Sequence, residues 1–397
     1  MSMHPFKPTQ LFVACLLALP VGAALAQSGT TSLEARLRYE AVDDDAFSRD
    51  AEALTARVRL GYLMNFTPAW SSFVEAEVTG HLGAEEFNST ENGQTTYPAV
   101  VDPDNVELNQ AWVKYSPSAS TAVTVGRQRL NFGNQRFIGG VGWRDNDQTF
   151  DALHVQHSFD AGPTLRYAYL DRVQRIFGDS HPNRALGRWH LSSHVLDASM
   201  QIGPGTLTGY AHWFDIETVP AASHRNLGLR YALKGGEAEG LGWNATAEFA
   251  TQRPYADGAD RNDAEYALIE GGVSISGNQF VGGVERLGGD GSYGFQTPFA
   301  TLHAFNGWAD RFLTTPANGL EDRYLGWKRG WGSWQAAVYA HDFRADRGGS
   351  DYGHEWDTSL SWAFAPKWSA LIKWASYDSD GFGADVEKLW VQVEFKL

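Results

Sequence analysis

Apolar and polar residues alternate one for one through most of this chain. In segments 33–40, 226–234, 243–250 and 355–364, every second residue is apolar, and the residues between are mostly charged, polar or small. Successive side chains of a β-strand point to opposite faces, so the pattern predicts strands with one apolar and one polar face. It predicts eighteen strands, at 32–42, 53–66, 69–82, 105–116, 120–130, 148–159, 163–174, 190–203, 205–217, 223–234, 241–253, 263–276, 278–288, 319–330, 332–344, 353–364, 367–378 and 386–397.

Two architectures share this alternation, a soluble β-sandwich with its apolar face inside and a membrane barrel with that face outside. Tryptophans placed at strand ends favour the barrel, since they prefer the headgroup level of a bilayer. Six of them are Trp70, Trp243, Trp334, Trp356, Trp368 and Trp374. The fold class we predict is therefore all-β, a transmembrane antiparallel up-and-down β-barrel of about eighteen strands.

The connections between the predicted strands alternate between short and long. Short turns lie at Thr67-Pro68, Gly203-Pro204-Gly205, Gly277-Asn278 and Ala365-Pro366, and long connections run over 83–104, 131–147, 175–189 and 289–318. Barrels of the outer membrane have tight periplasmic turns and long extracellular loops. An even strand count puts both ends of the barrel on the periplasmic side, and a barrel of this size leaves an aqueous channel.

Both ends of the chain fit export to the outer membrane. Lys7 precedes an apolar run from Leu11 to Leu19, and Ala24-Leu25-Ala26 fits a cleavage site, so we assign 1–26 to a signal peptide and 27–397 to the barrel. The single cysteine, Cys15, lies in the signal peptide. The alternating segment 389–397 resembles the assembly signal of outer-membrane proteins, which implies the barrel assembly machinery as a partner, beside outer-membrane lipid and lipopolysaccharide.

Composition narrows the function. The chain carries 32 basic and 47 acidic residues, a net charge of −15, which argues against nucleic acid as a partner. A channel through the outer membrane instead implies a small hydrophilic solute as cargo.

Charged residues of both signs fall on the polar faces that would line this channel. The basic ones are Arg36, Arg38, Arg57, Arg59 and Arg230, and the acidic ones include Glu34, Glu40, Glu75, Glu77 and Glu248. They suit a wall held rigid by ion pairs across neighbouring strands. They also suit a surface that selects permeating ions.

The richest segment for chemistry is 126–152. It begins Gly126-Arg127-Gln128-Arg129 and ends with a run from Trp143-Arg144-Asp145-Asn146-Asp147 to Asp151-Ala152. Val123 and Val125 share parity with Arg127 and Arg129, so either a bulge intervenes or the strand has left the bilayer. Such a loop can fold inward and narrow the lumen.

The Gly-Arg-Gln run and the Trp-Arg-Asp-Asn-Asp-Gln-Thr-Phe-Asp-Ala run resemble the alginate export family of outer-membrane porins. The resemblance implies an eighteen-stranded barrel with an arginine-rich constriction that passes an anionic polysaccharide. It places the pore role on Arg127, Arg129 and Arg144, and we add Gln128, Asn146 and Asp151 as pore-lining neighbours. The predicted periplasmic turns are too short to form a gate, so any plug must come from extracellular loops.

Three hypotheses stay open: an anion-selective porin of the alginate export type, a general or uptake porin for other small solutes, and an outer-membrane enzyme. The histidine pairs His154/His157 and His190/His194 lack a nucleophile motif or a third metal ligand. We therefore expect no enzyme activity, catalytic residue, metal or cofactor. The acidic runs at 43–45 and 102–104 suit solvated loop tips or divalent cation sites.

Overall fold

Eighteen antiparallel strands dominate the computed structural model, which describes residues 28–83, 85–236 and 240–397. The proposed signal peptide lies outside these residues. The strands are β1 Ser28–Asp44, β2 Ala51–Asn65, β3 Trp70–His81, β4 Asn105–Ser118, β5 Thr121–Gln128, β6 Thr149–Ser158, β7 Thr164–Gln174, β8 Arg188–Ile202, β9 Gly205–Phe214, β10 His224–Gly236, β11 Leu241–Pro254, β12 Ala264–Ile275, β13 Asn278–Leu287, β14 Leu320–Trp331, β15 Trp334–Arg344, β16 Asp351–Ala365, β17 Trp368–Ser379 and β18 Val386–Lys396.

Helix is confined to short pieces in the described residues. These are α1, Arg184–Gly187, and two 3-10 turns at Pro220–Ala222 and Leu302–Ala304. No described helix has the length and apolar character needed to cross a membrane.

The sheet closes on itself. Each strand pairs with its neighbour in sequence, and β18 pairs with β1 from Glu34 opposite Lys396 to Asp44 opposite Val386. The backbone N–H of Leu397 also donates to the carbonyl of Leu33 at 2.8 Å. Closure leaves no edge strand with unpaired backbone groups among the described strands. A sheet can cross the hydrocarbon core of a bilayer only in this closed form, because unpaired backbone groups find no water there. The predicted eighteen-stranded antiparallel barrel is confirmed.

Burial along the strands is inverted relative to a soluble protein. Leu227 and Leu229 on β10 are 64% and 58% exposed, whereas Arg38 and Glu77 are each 1% exposed. Apolar side chains thus form the outer surface and charged side chains face the interior. This is the arrangement of a membrane barrel and the reverse of that in a soluble β-sandwich. The predicted register agrees, since Ala247 on β11 is exposed while Glu248 is buried.

Most of the tryptophans used in the fold prediction lie near strand ends. Trp70, Trp334 and Trp368 begin β3, β15 and β17, and Trp243 is the third residue of β11. The expectation was wrong for Trp356 and Trp374, which lie inside β16 and β17.

Short and long connections alternate as predicted, so the long ones all leave the same rim of the barrel. Two of them fold into the barrel. They are the loop between β5 and β6 (129–148) and the loop between β13 and β14 (288–319). Both contain buried side chains that contact inward-facing residues of the wall. These two loops, called the plug below, supply the candidate site.

Candidate functional site

Backbone hydrogen bonds join the two loops of the plug into one unit. Ile138 pairs with Phe299 in a parallel bridge, and the N–H of Gly139 donates to the Phe299 carbonyl at 2.9 Å. The N–H of Thr301 donates to the carbonyl of Gln135 at 3.1 Å. The Gln148 amide donates to the carbonyls of Gly139 and Phe299, each at 2.9 Å. The loops therefore hold each other in place across the lumen.

Buried ion pairs fix the plug to β1 and β2. Arg36 of β1 donates to the Asp145 carboxylate and to the Arg144 carbonyl, both at 2.6 Å. Arg59 of β2 lies between Glu77 of β3 and Asp147 of the plug and donates to both. Ion pairing across the wall thus occurs at Arg59 and Glu77, while Arg36 reaches into the loop instead.

Arg144 lies inside a ring of acids. It contacts Glu40 at 3.0 Å, Asp102 at 3.4 Å and Asp310 at 3.5 Å, from three different parts of the barrel. Burial acts to lower the pKa of Arg144, but Glu40, Asp102 and Asp310 raise it above its ordinary value. The guanidinium is permanently charged and electrostatically satisfied.

Strands β13 and β16 also hold the plug. Arg136 donates to Glu285 of β13 at 2.7 Å. The N–H of Trp308 donates to Asp357 at 3.1 Å and the N–H of Ala309 to Glu355 at 2.7 Å, both carboxylates belonging to β16. Loop backbone donors thereby help to satisfy the buried carboxylates of the wall.

A group of cations and aromatic rings lies where the plug meets β1, β17 and β18. The group consists of Arg38, Trp143, His303, Lys373 and Trp390, and is called the constriction cluster below. The guanidinium carbon of Arg38 lies 4.1 Å from the centre of the Trp143 ring, and the Lys373 ammonium lies 4.2 Å from it. His303 stacks on the same ring at 4.4 Å.

The cations of the constriction cluster form no salt bridge in the part of the chain that the structure describes. Among the described residues, neither Arg38 nor Lys373 has a carboxylate oxygen within 4.0 Å. Arg38 donates instead to the neutral amide oxygen of Gln392, at 2.7 and 3.0 Å. Three buried donors, Nη1 of Arg38 and Nε1 of Trp143 and Trp390, find no acceptor there. All of these free groups are donors or cations, so the cluster is suited to an anion.

His303 links the cluster to the plug. Its Nδ1 lies 2.7 Å from Asp310 and its Nε2 lies 2.6 Å from the Lys373 ammonium. Since the ammonium can only donate, Nε2 accepts and Nδ1–H donates to Asp310. Burial lowers the pKa of His303 to about 3, with Asp310 opposing and Lys373 reinforcing the effect. The imidazole is therefore neutral at neutral pH.

Cavities lie on both sides of the plug, and His303 borders both. On the long-loop side, a cavity of about 460 Å³ is bordered by four cations, Arg144, Arg175, Arg311 and Lys388, and by two acids, Asp44 and Asp310. Toward the short turns, a cavity of about 670 Å³ is bordered by three cations, Arg230, Lys328 and Lys373, and by three acids, Glu270, Glu285 and Asp322. Trp143 and Trp308 also border the larger cavity.

The family model described as alginate export matches residues 29–169, from β1 into β7. The resemblance to the alginate export family of outer-membrane porins is confirmed. The comparison with curated proteins gives no match.

Solved porin structures share the fold over nearly the whole chain. OccAB4 of Acinetobacter baumannii matches with a TM-score of 0.73 at 12% identity, covering 94% of this chain and 98% of that one. OpdK of Pseudomonas aeruginosa matches with a TM-score of 0.72 at 15% identity, covering 94% and 99%. OccK9 (OpdG) of the same organism gives 0.73 at 16% identity, with the same coverage. The protein is an integral outer-membrane β-barrel whose apolar surface contacts lipid; these matches are to pore proteins and lend the enzyme hypothesis no support.

The porin places the three arginines of the sequence motif in ion pairs. Arg127 contacts Asp151 at 2.7 Å, Arg129 contacts Glu75 at 2.7 Å and also Asp147, and Arg144 occupies its ring of acids. Between Val125 and Arg127, Gly126 adopts a left-handed φ of 122°, and β5 ends at Gln128, which explains the broken alternation.

The remaining candidate residues of the porin are also bonded within the protein. The Gln128 amide donates to the Ala152 carbonyl at 3.1 Å, and the Asn146 side chain accepts from Asn105 at 3.1 Å. Arg57 lies 3.4 Å from Glu34 and 3.3 Å from Glu394. Arg230 pairs with Glu248. Of the arginines predicted to line the pore, Arg38 alone enters the constriction cluster.

Sequence reasoning gave no role to Lys373, His303, Trp143 or Trp390. Lys373 could have been recognised from the sequence. It is an isolated cation at an inward-facing position of β17, between the inward residues Leu371 and Ala375. Trp143 and His303 could be found only from the loop conformation, since they lie on different loops and meet only in the plug.

Proposed function

We propose that the porin is a passive pore that favours anionic saccharides of the alginate type, whose sugar rings carry carboxylates. The observation that carries the proposal is a pair of cations, Arg38 and Lys373, that contact one Trp143 ring. Neither has a carboxylate oxygen of a described residue within 4.0 Å. Lys373 and Trp143 border the larger cavity, and His303 borders both cavities.

The chemistry of the constriction cluster fits such a solute. A carboxylate can accept from the Lys373 ammonium and from the unpaired indole N–H of Trp143. Charges in a narrow, poorly hydrated passage are screened far less than loop carboxylates in solvent, so a few cations there can outweigh a net charge of −15.

One relative supports the preference for carboxylates. A solved structure of OpdK from Pseudomonas aeruginosa is a structure with vanillate, and vanillate is a carboxylate. A carboxylate is also the charged group of each sugar unit in alginate, so vanillate and alginate share the chemistry that the constriction cluster suits.

A general or uptake porin for other small hydrophilic solutes is the second candidate. The larger cavity favours it, because its three bordering cations are balanced by three acids. Under this alternative, Arg38 and Lys373 order the plug and do not select the solute. In either case we propose lipopolysaccharide and the barrel assembly machinery as partners of the outer surface and of the assembling strands.

Planar-bilayer recordings under a salt gradient distinguish the two. We expect an anion-selective reversal potential for the wild type, and a shift toward cation preference for the double variant Arg38→Gln/Lys373→Gln. The triple variant Arg127→Gln/Arg129→Gln/Arg144→Gln tests the role that the family resemblance gives to those arginines. Each of these three arginines already has an acidic partner. We therefore expect the double variant to shift the reversal potential more, for each positive charge removed, than the triple variant does. Lys367→Gln, in an exposed short turn, is the matched control.

Liposome swelling then tests the solute. A uronate disaccharide should enter faster than a neutral disaccharide of the same size through the wild type, and the difference should disappear in the double variant. A cation-selective wild type, or a double variant that keeps both its reversal potential and its preference for uronate, would establish the general porin instead.

A further inference from the structure

Three side chains converge at the long-loop end of β3, away from the constriction cluster. They are His81, the last residue of β3, and Glu85 and Asp104 of the loop between β3 and β4. We propose that these three residues form a binding site for a divalent first-row transition metal ion such as Zn²⁺. This inference is independent of the solute that the pore carries.

The imidazole of His81 is oriented by a group outside the site. Its Nε2 lies 2.7 Å from the backbone carbonyl of Asp102, an oxygen that can only accept, so the proton is on Nε2. The ring packs edge-on against the buried Phe87 at 4.8 Å, and the side chain is 7% exposed. A histidine that donates one ring N–H to a backbone carbonyl presents the lone pair of its other nitrogen, which is the arrangement of a metal ligand.

The free nitrogen points at two carboxylates. Nδ1 of His81 is buried and has no hydrogen-bond partner among the described residues. It lies 3.5 Å from Oδ1 of Asp104 and 3.7 Å from Oε1 of Glu85. A lone pair facing two anionic oxygens is repulsive unless a cation lies between them.

The spacing fits a small metal ion. The ligand atoms of the three side chains all lie within 4.8 Å of one another. Zinc bonds of about 2.0–2.2 Å in tetrahedral geometry place neighbouring ligand atoms roughly 3.3–3.6 Å apart, close to the separations from Nδ1. The carboxylate side chains of Glu85 and Asp104 are 44% and 54% exposed, so they can adjust to the ion and leave a position for water.

The ligand set defines the class of ion. One imidazole nitrogen and two carboxylate oxygens match the donors of zinc and its first-row neighbours, whereas calcium and magnesium prefer oxygen ligands alone. Two carboxylates with a neutral imidazole balance the charge of a divalent ion. At 102–104 the proposal favours a cation site over solvated loop tips. The sequence run alone did not define this site, because its nitrogen ligand, His81, lies on the preceding strand.

Asp102 connects this site to the plug. Its backbone carbonyl holds His81, while its side chain accepts from the N–H of Asp145 at 2.7 Å and contacts Arg144 at 3.4 Å. An ion bound by His81, Glu85 and Asp104 would therefore brace the segment that supports Arg144.

Calorimetric titration of the chelator-treated barrel with ZnCl₂, in detergent and without a polyhistidine tag, tests the site. We expect one binding event in the wild type, weakened at least about tenfold in His81→Gln and in Asp104→Asn. Bound Co²⁺ should give a tetrahedral visible absorption band that both variants lose. If His81→Gln or Asp104→Asn fails to fold, as judged by the loss of heat-modifiable mobility, Glu85→Gln replaces it in the test because its side chain is exposed.

His354 is the matched control. It lies 3.2 Å from Asp378 and 3.5 Å from Asp380, but each ring nitrogen faces one carboxylate and the side chain is 50% exposed. His354→Gln should leave zinc binding unchanged. The proposal is overturned if the wild type binds no zinc, or if zinc binding and the Co²⁺ band persist when His81 or Glu85 is replaced; in that case His81 is an imidazolium paired with the two acids.

Discussion

Individual charged residues in the plug are held by partners from elsewhere in the barrel. Asp145 shows the principle. Burial acts to raise the pKa of its carboxyl, but Arg36, Arg38 and Arg57 lower it below the ordinary value. Such a pair adds little net stability compared with apolar residues, yet an ion left alone in the same place is costly. The identity of each partner therefore matters more than the number of pairs.

A double-mutant cycle on Arg36 and Asp145 measures this dependence. Arg36→Gln should weaken the docking of the plug by about 3–5 kcal/mol, because the buried Asp145 then lacks its closest partner. Adding Asp145→Asn should restore part of that loss. Hydrogen exchange of amides in 135–148 reports the docking. A loss in the double variant equal to the sum of the losses in Arg36→Gln and Asp145→Asn alone would show that the two side chains are not energetically coupled.

Strands and loops differ in how far the sequence predicted them. Alternation is local, so all eighteen predicted strands occur, mostly within a few residues of their predicted ends. The plug depends on contacts between segments far apart in the chain. Arg144 lies in a motif rich in acids, but its partners Glu40, Asp102 and Asp310 come from β1 and two other loops. Periodicity carries no information about which loop meets which.

Docking of the loop between β13 and β14 should depend on pH through His303. The folded state holds this imidazole neutral, with a pKa lowered by burial to about 3. The undocked loop has an ordinary histidine pKa of about 6.5, so it binds the proton more readily. Docking free energy is then complete above pH 6.5 and declines as the pH falls toward 3. Asp310, whose pKa is lowered well below its ordinary value, adds a further loss only below about pH 3.8.

Hydrogen exchange of amides in 302–312, corrected for intrinsic rates, should show less protection at pH 4.5 than at pH 7.5. His303→Gln should flatten this dependence, whereas the exposed His354→Gln should not. Protection that is the same at both pH values in the wild type would contradict the neutral, buried state of His303.

The barrel wall is one continuous ring of hydrogen-bonded strands, closed where β1 meets β18. Closure makes the ring resistant to detergent, so the protein should run at a different apparent mass when heated. Val391→Pro places a ring without an N–H in β18, opposite Tyr39 of β1 and Ile372 of β17. We expect this variant to lose the heat-modifiable band, while Ser48→Pro, in the exposed turn after β1, keeps it. A folded, heat-modifiable Val391→Pro barrel would show that closure tolerates a break at this strand pair.

The β1–β18 seam also constrains the order of events during assembly. Residues 34–44 must find residues 386–396, the most distant strand pairing in the chain, and such long-range contacts form slowly. Until they meet, any partial sheet has two open edges, whose backbone groups cannot be satisfied in hydrocarbon. Partly built sheets are therefore excluded from the bilayer core unless their edges are covered. Insertion then becomes nearly all-or-none, its rate is set by the joining of the first strand to the last, and the seam is the point at which an assembling chain is most exposed to misfolding and proteolysis.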